Sequence, residues 1–117
     1  MGDFRKLNVR EKSKDIAVKI ITEYINFKKD FGLKDQMRRS AVSISSNIAE
    51  GDERFTNKEA IRFLYIANGS VAELITQVII AYEIGYITLK ENNLIVNELE
   101  EISKMIKALI NYRNKNV

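Results

Sequence analysis

The 117 residues are one domain's worth of chain, 45% hydrophobic and 30% charged with a net charge of +3, a balance that supports a single packed core rather than disorder. With neither His nor Cys in the chain, the commonest general base, Ser-His triads, thiolate nucleophiles, disulfides and His- or Cys-based metal sites are excluded. Pro is absent, so helices run unbroken, and the five Gly form no phosphate-cradling loop.

The opening residues, Met1 to Lys6, contain no apolar segment of the signal-peptide kind. No apolar run approaches the roughly 20 residues of a membrane span. The expectation is a cytoplasmic protein without a membrane contact. Positive charge is concentrated early. Residues 1–39 hold eleven Lys/Arg and six Asp/Glu, a net of +5, and the remainder nets −2. That bias permits an anionic partner but also suits solvated helix faces.

Apolar residues recur with helical period throughout. The first helix is expected from about Val9 to Phe27, striped by Ile16, Ile20, Tyr24 and Phe27. Lys28 to Gly32 forms a short connection. The second helix runs from about Leu33 to Asp52 with Met37, Ala41, Ile44 and Ile48 in line. Thr56-Asn57-Lys58-Glu59 is a capping-box sequence opening the third helix, whose stripe is Ala60, Leu64, Ala67, Val71, Leu74 and Val78. That helix ends near Ile84, where Gly85 suits a left-handed C-terminal cap. A second capping box, Thr88 to Glu91, opens the fourth helix, striped by Ile95, Leu99, Ile102, Ile106 and Leu109. The stripes mirror one another across each turn, as facing layers of antiparallel neighbours do. The predicted fold is all-α, an antiparallel up-down-up-down four-helix bundle occupying residues 1–117 as one domain.

Two features exceed what a lone bundle needs. The third helix is apolar around most of its circumference from Val71 to Ile84, and Ile75 and Ile79 are expected in an interface between copies of the chain. The second helix carries a small and polar stripe, Gln36, Ser40, Ser43, Asn47 and Glu50, facing Gly69, Glu73 and Gln77 on the third. The stripe reads either as a binding site or as close helix packing with internal ion pairs, and the second reading is favoured. At least one of Arg38 and Arg39 is expected to pair with Glu73, within or between subunits, and Glu50 lies near Lys58 and Arg62. Two carboxylates, Glu50 and Glu73, are too far apart along the bundle to share acid–base work. Neither an enzyme nor a bound cofactor or metal is expected.

The run Gln36-Met37-Arg38-Arg39-Ser40-Ala41-Val42-Ser43-Ile44, followed by Asn47-Ile48-Ala49-Glu50-Gly51, resembles the four-helix-bundle proteins encoded by intervening sequences of bacterial large-subunit ribosomal RNA genes. The likeness continues through Phe63 to Ala67, Gly69-Ser70, Glu73-Leu74, Gln77 and Gly85-Tyr86-Ile87. Two departures stand out. Lys28 follows Phe27 where the family has Pro and an acidic residue, and Ser40 stands where Ala is usual. The resemblance implies a homopentameric ring and kinship with the accessory protein of diversity-generating retroelements, a basic bundle linked to a reverse transcriptase and nucleic acid. It implies no catalytic role for any residue.

The functional expectation is a non-enzymatic oligomer acting as a nucleic-acid or ribonucleoprotein adaptor; the alternative is a protein–protein scaffold without nucleic acid. RNA or DNA contacts are expected at Lys28, Lys29, Lys34, Arg38 and Arg39, with Arg5, Lys6, Arg10, Lys12 and Lys14 adding charge. No base-stacking platform is evident, so contacts to phosphate with little sequence preference are expected. Asn47, Glu50, Gly69, Glu73 and Gln77 are assigned structural or interface roles.

Overall fold

The computed structural model describes residues 4–115, with side chains from residue 8 onward. Four α-helices account for the architecture: α1 (Phe4–Lys19), α2 (Phe31–Asp52), α3 (Asn57–Glu83) and α4 (Leu89–Asn114). A π-helical turn, Ile20–Tyr24, prolongs α1. The helices pack in a cycle, α1 on α2, α2 on α3, α3 on α4 and α4 back on α1. At about 1.5 Å per residue, α3 and α4 run most of the 45 Å long axis. Their direction is fixed by cross-helix bonds. Ser103 Oγ donates to Asn68 Oδ1 at 2.8 Å, and Arg113 donates to Asn57 Oδ1 at 2.8 Å. As the α3 partner moves back along the chain, the α4 partner moves forward by nearly as many residues, so the pair is antiparallel. Lys12–Glu101 and Lys19–Glu98 do the same for α1 and α4.

The expected stripes form the core. Met37, Ala41, Ile44 and Ile48 of α2, Leu64, Ala67, Val71, Leu74 and Val78 of α3, and Ile95, Leu99, Ile102, Ile106 and Leu109 of α4 are all buried in one cluster. α3 is long and apolar enough by composition to cross a membrane. In the bundle its apolar residues divide between this core and its outward face.

The first helix departs from expectation at its end. Ile25, not Tyr24, is the buried residue after Ile20, with 3% exposure. In an α-helix a five-residue step turns about 140° away from the stripe. Here the Ile25 N–H donates to the Ile20 carbonyl at 3.1 Å, the i to i−5 bond of a π turn. The wider turn absorbs the extra residue and returns Ile25 to the core. α2 also begins earlier than expected. Asp30 adopts a left-handed conformation (φ 58°) and its carboxylate accepts from the Leu33 N–H, which caps the helix and starts it at Phe31.

Only the threonine half of the first capping box forms, Thr56 accepting from the Glu59 N–H. At Thr88 and Glu91 both halves are made. Gly85 takes φ +86°. Its N–H donates to Tyr82 O, and the Tyr86 N–H to Ala81 O at 2.8 Å, the paired bonds of a Schellman cap. At Gly51 α2 comes close to α3. A Cβ there would lie 3.2 Å from both the Ala60 carbonyl and Phe63 Cβ.

Candidate nucleic-acid interface and the α2–α3 groove

Most cations of α1 are already matched. Arg10 pairs with Asp52 at 3.3 Å, Lys12 with Glu101 at 2.6 Å, Lys14 with Asp15 and Glu11, and Lys19 with Glu98. The Lys12 hydrogen bond and charge hold the Glu101 carboxyl below the ordinary carboxylate range, and the Asp15 hydrogen bond raises Lys14. The α1 face is therefore a mixed-charge surface, not the basic one that the early excess of Lys and Arg suggested. Arg5 and Lys6 lie outside the described side chains.

Positive charge without carboxylate partners among the described residues gathers instead at the α1–α2 end. Lys28 and Lys29 are exposed on the connection, Lys34 is half-buried on the first turns of α2, and Arg38 is exposed one turn further on. Among them stands Phe31, 80% exposed. The Lys34 ammonium lies 4.8 Å from the centre of the Phe31 ring and 5.8 Å from that of Phe27. Phe27 in turn stacks on Tyr86 at 4.9 Å. The sequence alone points to no exposed aromatic here; the structure places the Phe31 ring at the surface. Phe31 was assigned to the connection, but Asp30 caps the helix before it, which sets its ring outward on the first turn of a rigid element.

The second predicted cluster converges, with different partners. Arg39 donates to Asp35 at 2.9 Å, one turn back on its own helix, and not to Glu73. Glu50 likewise pairs with Arg54 at 3.4 Å, not with Lys58 or Arg62. In both cases the partner lies four residues away along the chain, Asp35 on α2 itself and Arg54 just past its end. Arg54 also lies over the Phe63 ring at 4.5 Å. Glu73 is exposed, and no arginine of its own chain pairs with it among the described residues.

Below this rim the small residues do form a polar seam. Ser43 and Ser70 share a hydrogen bond of 2.8 Å across the helices, and Asn47 Nδ2 donates to Ser43 O and Oγ at 2.9 and 3.0 Å. Gln36, Arg39, Ser40, Ser43, Glu73 and Gln77 line an open groove of about 260 Å³ between α2 and α3. Gln77 is buried, with 8% exposure, and its Oε1 has no hydrogen-bond partner. Gly69 is not a close-packing residue within the chain: a Cβ there would meet nothing within 4 Å. It sits on the outward face of α3 with Tyr65, Ile66, Ile79 and Ile80, which are 39–59% exposed. Ile75 turns inward, packed against the core. No group of three acidic, His or Cys side chains converges to hold a metal among the described residues.

The sequence profile of the 23S rRNA-intervening sequence proteins matches residues 5–108. The chain belongs to that family. The seam and groove residues, from Arg38 to Gly51 and from Gly69 to Gln77, lie inside the matched span. Among solved structures, a protein of unknown function from the S23 ribosomal protein family of Bacteroides thetaiotaomicron VPI-5482 superposes with a TM-score of 0.87 at 29% identity, over 92% of this chain and 99% of that one. No curated protein matches.

Proposed function

We propose that this member of the 23S rRNA-intervening sequence protein family is a non-enzymatic, self-assembling adaptor that binds nucleic acid at the α1–α2 end of its bundle. The observation that carries the reading is Phe31, an open aromatic ring set among Lys28, Lys29, Lys34 and Arg38. Lysines offer phosphate contacts, and a ring offers any base a stacking surface. Residues 27–39 hold five Lys/Arg and two Asp/Glu, a local net of +3. One such patch is small. Repetition around a homo-oligomer, a pentameric ring by family resemblance, multiplies it, and avidity then supplies what a single chain lacks.

Self-association is proposed through the outward face of α3, where Tyr65, Ile66, Ile79 and Ile80 expose more apolar surface than isolated side chains would. The same face supports the second reading, a protein scaffold that displays this surface to another protein. The absence of His and Cys from the chain supports a binding role over catalysis. A cytoplasmic setting, without membrane contact, belongs to the same proposal.

Fluorescence anisotropy with single-stranded and duplex RNA tests the proposal, on protein whose oligomeric state is fixed by native mass spectrometry. Affinity is expected to fall with salt at a log–log slope of about −0.7 per neutralised phosphate on single strands. Phe31→Ala is expected to weaken single-strand binding by about 1–3 kcal/mol. Ile79→Glu is expected to dissociate the assembly and reduce binding with it. An oligomer that binds no RNA at low salt would leave the scaffold reading standing.

A further inference from the structure

The α2–α3 groove adjoins the basic end and shares Arg39 with it, but its other residues play no part in the reading above. Its floor and walls are rich in acceptors. Gln77 belongs to the lining, and its side-chain carbonyl oxygen is buried and without a donor. Burying an acceptor unpaired is unfavourable, and in native proteins such an atom calls for an explanation. Glu73 adds an exposed carboxylate to the same wall, and Ser40 and Ser43 add hydroxyl oxygens. The Ser43 hydroxyl is already engaged by Ser70 and Asn47. The one cation of the lining, Arg39, is turned to Asp35 outside the groove, which leaves Glu73 as a lining carboxylate without an ion-pair partner among the described residues.

We propose that this groove binds a guanidinium group. The group would answer each feature of the site. It is planar and permanently charged, and presents several N–H donors in a fixed fork. Two of them suit the Glu73 carboxylate side by side. A third suits the Gln77 carbonyl once its terminal amide turns to face the groove. A lone ammonium offers a point charge without that fork, and an anion would meet the Glu73 charge and the orphaned oxygen. The guanidinium has two sources, a free ligand or an arginine of a second copy. Among the described residues, Arg38 and Arg62 are the exposed arginines without a carboxylate partner.

The test is a heteronuclear NMR titration of the full chain with argininamide as the probe. Glycinamide, which keeps the amide and ammonium without the guanidinium, and acetate serve as controls. Argininamide is expected to shift the resonances of Ser40, Ser43 and Gln77, including the Gln77 side-chain amide. Glu73→Gln and Gln77→Leu are each expected to weaken it at least about ten-fold, the loss expected for a hydrogen bond to a charged group. Glu73 is exposed, so Glu73→Gln tests the site even where Gln77→Leu disturbs folding. A response in the unsubstituted protein identifies a site for free ligands. Silence there, with a response in Arg38→Ala/Arg62→Ala that Glu73→Gln abolishes, shows that a neighbouring copy's arginine already fills the groove. Silence in both backgrounds, an equal response to glycinamide, or a response to acetate in place of argininamide overturns the proposal.

Discussion

Gly69 offers a sharp test of where α3 meets its surroundings. It sits mid-helix, exposed, and an added Cβ meets no atom within 4 Å. Gly in an exposed helix interior costs about 1 kcal/mol relative to Ala, because its backbone loses more freedom on folding. Gly69→Ala is therefore expected to stabilise the isolated chain by about that amount. Unfolding entropy scales as about 2.1 cal/mol/K per residue, so for 117 residues the gain corresponds to about 4 °C in Tm. Gly51 is the control, with the same propensity gain on offer. There the new Cβ would lie 3.2 Å from the Ala60 carbonyl, which is backbone, and from Phe63 Cβ. α3 would have to shift, and overpacking of this kind costs about 1–3 kcal/mol, so Gly51→Ala is expected to lose stability. Urea unfolding at concentrations where the chain is dissociated measures both, with an unchanged m-value as the check that only stability has moved. A Gly69→Ala variant less stable than its parent under those conditions would refute the argument. Stabilisation of the dissociated chain with weaker assembly would instead place Gly69 in close contact between copies.

Leu74→Ala empties a fully buried site on α3, and chemical denaturation is expected to register a loss of about 2–5 kcal/mol. Thr88→Ala removes the hydroxyl that accepts from Glu91 N–H and is expected to cost about 1 kcal/mol, read as an earlier thermal transition by circular dichroism. Glu101 is held below its ordinary range by Lys12. Its contribution is thus present above the unfolded carboxylate value and lost as pH falls through the folded one. Glu101→Gln is expected to lower stability slightly near neutral pH and to leave it unchanged in acid, which flattens the acid side of the profile, in urea titrations repeated across pH.

Much of the bundle was legible because its signals are local and periodic. The α2, α3 and α4 stripes, the Thr88 box and the Gly85 cap each depend on residues within a turn or two of one another. The misses have equally specific causes. Tyr24 and Ile25 are both apolar enough for the stripe, and only the backbone bond from Ile25 to Ile20 decides between them. Asp30 was not evident as a cap, since a left-handed aspartate is rare, and Phe31 was misplaced with it. The rim ion pairs failed for a matter of reach. Arg39 and Glu50 each have a partner four residues away, Asp35 on the same helix and Arg54 just beyond the end of α2, and these beat partners across the groove. The polar stripe itself was correctly seen as a line. That Gln77 lies buried with an idle oxygen depends on how far the neighbouring helices wrap around it, which spacing along one helix does not reveal.

The π turn at Ile20–Tyr24 makes the end of the first helix an adjustable joint. Elsewhere in the bundle, gaining or losing one residue would swing every following side chain by about 100° and turn the core stripe toward water. Between Ile20 and Ile25 the five-residue step is one longer than an α-helical turn requires. Deleting Thr22, whose hydroxyl bonds only back to the Val18 carbonyl, would leave a four-residue step that an ordinary α turn spans. Both isoleucines would stay in the core. Homologues one residue shorter here can keep the same packing downstream, so alignments of the family are best anchored on α2 to α4, with a gap allowed at this turn.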